Sequence, residues 1–224
     1  MTSYAILIPA RIGSTRFPNK PLAMLNGVPL VNRVYNKCTA TGIDTYVITD
    51  SRKVAHQIPY ANVIYTDDAM NGTERCGISL RQEKLKDYTH FINVQGDMPD
   101  ITEDIILSVK QQLENYNVVT AYTEMPDEMK NDPNSVKLIR TGDRALWFGR
   151  GTTGYGDWHI GIYGYTREAL EQYPTLDVPI EEELEGLEQL RWLKNGWQIH
   201  CSSVQFNGVE INSPEDVELW QTKN

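Results

Sequence analysis

The amino-acid sequence predicts an α/β protein built on a mostly parallel sheet, and two observations carry that prediction. Apolar runs short enough for strands, at residues 4–8, 45–49 and 62–65, alternate with helical patterns. Strand, helix, strand, helix, strand within about 65 residues is the βαβ rhythm that winds a parallel sheet. The runs at 4–8 and 90–94 then empty into loops dense in charge, glycine and proline. In open α/β sheets, ligands bind at such strand ends.

The first strand, Tyr4-Ala5-Ile6-Leu7-Ile8, gives way to a loop holding Arg11, Arg16 and Lys20 and broken by Gly13, Pro9, Pro18 and Pro21. Backbone N–H groups and fixed positive charge at a strand end suit a phosphorylated ligand. A solvated basic loop is the plain alternative. Three cations clustered in an otherwise acidic chain favour a polyphosphate site. Pro29 then suits the first turn of a helix running to about Ala40, with Gly42 as its stop. Residues 45–49 make the second strand, Asp50-Ser51 cap a short helix, and 62–65 make the third strand. Gly72-Thr73-Glu74-Arg75 opens a helix extending towards Lys86. Its N-terminus suits an anion or a hydrogen-bonding base, and equally an ordinary cap.

The fourth strand, 90–94, enters Gln95-Gly96-Asp97-Met98-Pro99-Asp100. A carboxylate held by glycine and proline just past a strand suits a magnesium ligand, although the same residues mark ordinary turns. A helix over 101–116 precedes a strand at 118–122, a polar connection over 124–134, and short strands at 135–139 and 145–148. Residues 149–156 hold four glycines without dinucleotide-binding spacing and read as a mobile active-site loop. The alternation at 159–165 is a strand, in which His159 reads as a satisfied structural histidine. Residues 180–194 form one charged amphipathic helix whose glutamates read as a solvated face. A strand at 197–204 and a helix opened by Ser213-Pro214-Glu215-Asp216 close the chain.

A length of 224 residues predicts one domain over 1–224, with room for an insertion. The net charge of −9 argues against a nucleic acid gripped through its phosphates. It leaves a small anionic substrate open, because local charge decides that case. Cys38, Cys76 and Cys201 lie far apart without a CxxC, which predicts a reducing compartment and neither disulfides nor a zinc site. No apolar run reaches the ~20 residues of a membrane span. The N-terminus has no signal-peptide pattern, so the expected location is the cytoplasm and no membrane partner is expected.

Six stretches in order carry a wider resemblance: Ile8-Pro9-Ala10-Arg11 with Ser14, Arg16, Pro18 and Lys20-Pro21-Leu22; Gly72-Thr73-Glu74-Arg75; Asn93-Val94-Gln95-Gly96-Asp97 with Pro99; His159-Ile160-Gly161-Ile162-Tyr163; Leu187-Glu188-Gln189-Leu190-Arg191; and Ser213-Pro214-Glu215-Asp216. Spread over nearly the whole chain, they resemble the bacterial CMP-Kdo synthetases, the 3-deoxy-manno-octulosonate cytidylyltransferases. The resemblance implies a Rossmann-like α/β fold with flanking helices and a small inserted region, at about 135–185, for sugar binding and homodimer contact. It implies CMP transfer from CTP to a keto-deoxy sugar acid, with release of pyrophosphate and help from Mg²⁺.

The same resemblance implies the residue roles. Arg11 and Lys20 would hold the triphosphate, Ser14 and Arg16 would shape the loop, and Ala10, Gly72 and Arg75 would border the cytidine. Gln95 would lie between nucleotide and sugar, and Asp97 would ligate Mg²⁺. Arg150, His159, Tyr163, Glu188 and Gln189 would line the sugar pocket, with Arg150 suited to the sugar carboxylate. The chain departs from the family pattern at Met98, usually acidic, and at Asn212, usually aspartate. Glu210, two positions earlier and on the same side of an extended segment, is expected to complete the magnesium site with the Asn212 amide oxygen. A loop over 149–156 that is shorter than usual keeps an 8-amino or sialic-acid-like sugar open. A nucleotide-sugar-dependent glycosyltransferase and a non-catalytic nucleotide-binding regulator are the competing readings. The Asp97-Met98-Pro99-Asp100 spacing disfavours the first, which expects Asp-x-Asp.

Overall fold

Residues 2–13 and 17–224 are described by the computed structural model. The N-terminal apolar run forms β1 (Tyr4–Pro9), with Ala5, Ile6, Leu7 and Ile8 fully buried. Strand alternation sends Ala5 and Leu7 into one core and Ile6 and Ile8 into the other. Each face therefore needs its own covering layer, and burying each of these aliphatic side chains contributes about 1.5–3 kcal/mol.

The chain continues through a small ribbon, β2 (Met24–Leu25) and β3 (Val28–Pro29), to α1 (Leu30–Thr39) and β4 (Asp44–Thr49). Next come α2 (Arg52–Ala55), β5 (Val63–Tyr65), α3 (Gly72–Ser79), β6 (His90–Val94), α4 (Glu103–Gln112) and β7 (Val118–Thr123). The later part holds β8 (Lys137–Thr141), β9 (Arg144–Gly149), β10 (Asp157–Thr166), α5 (Arg167–Gln172), α6 (Ile180–Glu185), α7 (Leu190–Lys194), β11 (His200–Ser203) and α8 (Pro214–Lys223). Ser51 caps α2, as its position predicts.

The main sheet runs β5-β4-β1-β6-β10-β7-β11-β9-β8. From β5 to β6 it is parallel, as the βαβ pattern requires. Past β6 it is mixed: β10 is antiparallel to both its neighbours, β7 and β11 are parallel, and β8 and β9 pair antiparallel. The segment expected as a small insertion thus supplies β10 to the middle of the sheet. Side chains of α1, α4 and α8 cover one face, and those of α3, α5 and α7 the other.

The structure departs from the expected elements in three places. The helix over 180–194 is two helices, because Gly186 adopts a left-handed conformation (φ 63°) and ends α6. The turn that follows carries Glu188 and Gln189. α3 stops at Ser79 instead of running towards Lys86, and a 3₁₀ turn follows at Glu83–Leu85. α5 had no counterpart in the sequence pattern. The Thr166 hydroxyl starts it, accepting from the Ala169 N–H. All three cysteines are free and buried. Among the described residues, no helix is long and apolar enough to cross a membrane.

Candidate active site

The carboxyl ends of β1 and β6 open onto a cavity of about 530 Å³. Ala10, Arg11, Lys20, Gly72 and Arg75 border it on one side, with Gln95 and Asp97 at its floor. Arg150, His159, Tyr163, Glu188 and Gln189 border the other side, and Glu210 and Asn212 close it. Every described residue given a binding, catalytic or metal role from the sequence therefore borders one space. Ser14 and Arg16 lie outside the described residues. The volume suits a small-molecule site.

At the floor, Lys20 Nζ lies 2.8 Å from Asp97 Oδ2. The Ile211 N–H donates to the Asp97 carbonyl (2.8 Å), which draws the segment before α8 along the β6 loop. Asp100 latches that segment, accepting from the Val209 N–H (2.9 Å) and from Trp220 Nε1 (2.7 Å). Sequence reasoning gave Asp100 no such part; its signal was an aspartate followed by no ligand-like pattern. The Glu210 carboxyl is pushed up to about 7, first by burial and then by the neighbouring Asp97 carboxylate. The charges of Arg150 and Lys20 and a hydrogen bond with Asn212 act in the opposite direction. Two mutually repelling carboxylates beside the Asn212 amide offer hard oxygen donors that a divalent cation stabilises. Among the described residues, no group of three or more His, Cys, Asp or Glu forms a metal cage. Met98 is fully buried in the core and does not border the cavity.

On the β1 side, Arg75 is only 2% exposed. It is held by Asp50 (2.9 Å), Thr66 Oγ1 (2.8 Å) and the Asp67 carbonyl (3.3 Å). The α3 N-terminus is capped by Asn71, whose Oδ1 accepts from the Glu74 N–H (2.8 Å). The anion found at that helix end is the protein's own: Glu188 Oε2 accepts from the Thr73 N–H (3.1 Å).

On the far side, the Arg150 guanidinium donates to the carbonyls of Asn134 (2.6 Å) and Glu185 (3.2 Å), and its backbone N–H donates to the Glu185 carboxylate (2.8 Å). Lys137, fully buried, donates to the carbonyls of Asp132 and Arg150 and ties the two loops together. His159 lies 2.9 Å from Thr120 Oγ1 through Nε2. Because that hydroxyl donates to the Ile162 carbonyl (2.8 Å), His159 Nε2 is the donor to it, leaving Nδ1 as acceptor. Burial, then the charge of Arg150, lowers the His159 pKa to about 3, so the ring is neutral. The bond with Thr120 gives His159 the structural part expected of it, and the ring also borders the cavity. Gln189 is 2% exposed and keeps an amide nitrogen with no partner among the described residues.

The glutamates of 180–194 form the expected solvated face only in part: Glu183 is exposed, but Glu182 and Glu188 are not on it. Glu182 is buried and receives a two-pronged contact from Arg191, itself buried, at 2.7 Å on each oxygen. Asn71 Nδ2 donates to the same carboxylate (2.9 Å), and the Arg191 guanidinium stacks 4.4 Å from the Tyr173 ring centre. The break at Gly186 turns these residues inward, and no helical periodicity announces it.

Residues 5–199 match the model of the cytidylyltransferase family. A relative from Shewanella halifaxensis (strain HAW-EB4), named 8-amino-3,8-dideoxy-manno-octulosonate cytidylyltransferase, is 36% identical over 97% of both chains. One of the same name from Shewanella woodyi (strain ATCC 51908 / MS32) is 34% identical over the same shares. A solved CMP:2-keto-3-deoxy-manno-octonic acid synthetase complexed with CTP superposes with a TM-score of 0.90 at 28% identity, covering 99% of this chain and 98% of that one. The inositol-1-phosphate CTP transferase of T. maritima shares the fold, with a TM-score of 0.69 at 14% identity over 100% and 97% of the two chains.

Proposed function

Because the chain belongs to the cytidylyltransferase family of nucleotidyltransferases, we propose that it transfers CMP from CTP to 3-deoxy-manno-octulosonate (Kdo) or to its 8-amino form, releasing pyrophosphate. The reading is supported chiefly by the convergence on one cavity of a cationic loop end, a carboxylate pair and a polar far wall. The names of the relatives support the 8-amino sugar in particular.

In this reading the anomeric hydroxyl attacks the α-phosphorus in line. A new O–P bond forms, and the bond from the α-phosphorus to the bridging oxygen breaks. Pyrophosphate leaves with that oxygen and the electron pair, and the hydroxyl proton passes to solvent. No protein nucleophile is required, so the residues act by positioning and by neutralising charge. Arg11 and Lys20 hold the triphosphate, and Ala10, Gly72 and Arg75 border the cytidine. Arg150 faces the sugar carboxylate, with His159, Tyr163, Glu188 and Gln189 around the ring. Asp97, Glu210 and the Asn212 amide oxygen would hold Mg²⁺, which when bound neutralises charge developing on the phosphates. A homodimer formed through about residues 135–185 is supported by the exposure there of Tyr155, Ile180 and Leu184, and the use of CTP supports a cytoplasmic location.

The test is pyrophosphate release by purified protein given CTP, Mg²⁺ and, separately, Kdo, 8-amino-Kdo or a sialic acid, with the CMP-sugar identified by mass. Turnover with one or both octulosonates is expected. CTP binding without pyrophosphate release from any sugar acid would leave a nucleotide-binding regulator instead.

A further inference from the structure

Glu188 borders the cavity, yet its carboxylate is already engaged with the protein. Oε2 accepts from the Thr73 N–H (3.1 Å), and Oε1 accepts from Thr73 Oγ1 (3.0 Å) and Gln95 Nε2 (2.8 Å). The Tyr165 hydroxyl lies 3.0 Å from Thr73 Oγ1 and donates to it, since the Thr73 proton is committed to Glu188. The raised pKa of Glu188, due first to burial, fits a carboxyl enclosed among these groups.

One consequence concerns Gln95. The Thr73 N–H and hydroxyl both point at the Glu188 carboxyl as donors, and the Gln95 amide joins them with its NH₂ group turned towards Oε1. The amide also lies in a space that only glycine at position 72 leaves open. A Cβ on Gly72 would stand 3.0 Å from Gln95 Oε1 and 3.1 Å from Nε2, and one on Gly161 would stand 3.5 Å from its Cγ. Gly161 comes this close because β10 changes register against β7 between Ile160 and Tyr163. The Gln95 carbonyl oxygen is thus fixed as an acceptor between the β1 side and the β10 side. An exposed NH₂ at that place would attract the phosphate and carboxylate oxygens of either substrate. A fixed acceptor repels them and selects a hydroxyl donor.

We propose that Glu188 is a positioning residue that locks Gln95 as a hydrogen-bond acceptor for a hydroxyl of the sugar acid, so that the pair sets sugar selectivity. The inference rests on the sugar-acid cytidylyltransferase reading above. Glu188 then acts through Gln95, and the effect of exchanging the two side chains is predictable. In Glu188→Gln the new amide can donate, so Gln95 is free to flip. In Gln95→Glu two carboxylates face one another. With both exchanges made together, the amide now at position 188 donates to the carboxylate now at position 95, whose second oxygen again faces the cavity as an acceptor.

The experiment measures KM for the sugar acid and for CTP, together with melting temperature, in the wild type, both single variants and the double exchange. Glu188→Gln is expected to raise the sugar-acid KM by about 10- to 100-fold, the worth of a charge-assisted hydrogen bond, with the CTP KM changed by less than about threefold. Gln95→Glu should lose more, and the double exchange should regain at least about tenfold over either single variant. An unchanged sugar-acid KM in Glu188→Gln, or no regain in the double exchange, overturns the proposal. If Glu188→Gln is too unstable to assay, the double exchange decides alone: recovery supports the pair, and continued loss refutes it. Wild-type protein inactive on every sugar acid would instead refute the underlying function.

Discussion

The two walls of the cavity are built differently. The β1 side takes its residues from loops at the ends of adjacent parallel strands and from the first turn of α3, where a few neighbouring positions set the geometry. The β10 side is assembled from distant parts by side-chain hydrogen bonds: Glu188 with Thr73, Asn71 with Glu182, Arg150 with Glu185, and Lys137 with the Arg150 carbonyl. Damage to the first wall should therefore show in chemistry more than in stability. Damage to the second should show in both.

The largest effect expected is on stability at the second wall. Replacing Arg191 by Met leaves Glu182 buried beside Asn71 without its cation. Breaking a buried pair from one side costs about 3–5 kcal/mol. Denaturant unfolding should show that loss, and the double change of Arg191→Met with Glu182→Leu should recover much of it. A single variant as stable as the wild type would mean that the pair does not brace this wall.

The first wall offers the contrast. Asp97 pairs with Lys20 where both are partly exposed, so the pair contributes little to folding. Asp97→Asn should lower kcat by about 10²–10³-fold while circular dichroism and melting stay near wild type. A near-normal rate of pyrophosphate release would remove Asp97 from the metal and the chemistry.

The two walls also differ in how far the sequence reveals them. The parallel half of the sheet and the loops at 9–22 and 95–100 are legible, because an apolar strand followed by a polar, proline-marked loop is a local pattern. The middle position of β10 is not, since pairing order depends on which surfaces meet in three dimensions. Glu182 reads as solvated because an acidic run ordinarily is; only the turn at Gly186 brings Arg191 back onto it. The part Asp100 plays is hidden for a similar reason. Its partners, Val209 and Trp220, lie more than a hundred positions away.

A smaller effect on the second wall depends on pH. Burial holds the folded His159 at about 3, against 6.5 for the free side chain. At pH 7 the ring is largely neutral in both folded and unfolded states and adds little pH dependence. Between 6.5 and about 3 the unfolded chain takes up a proton that the folded chain does not, so stability falls as pH falls through that window. His159→Gln keeps a donor for Thr120 and removes the titration. Between pH 7 and pH 5 it should lose about 2 kcal/mol less stability than the wild type. Equal acid sensitivity in the two proteins would mean that His159 is not held neutral.

The mildest change tests the break itself. No atom lies within 4 Å of a Cβ placed on Gly186, so Gly186→Ala meets no steric obstacle, only its left-handed backbone. Holding an alanine there costs about 1–2 kcal/mol. The competing conformation is the continuous helix that the 180–194 pattern favours, which would carry Glu188 and Gln189 out of their places on the cavity. Gly186→Ala should therefore raise the sugar-acid KM while leaving the CTP KM near wild type, and Gly186→Asn, better suited to the left-handed region, should do so less. Equal shifts in both constants would mean that the turn supports the whole cavity, and the division between the two walls would not hold.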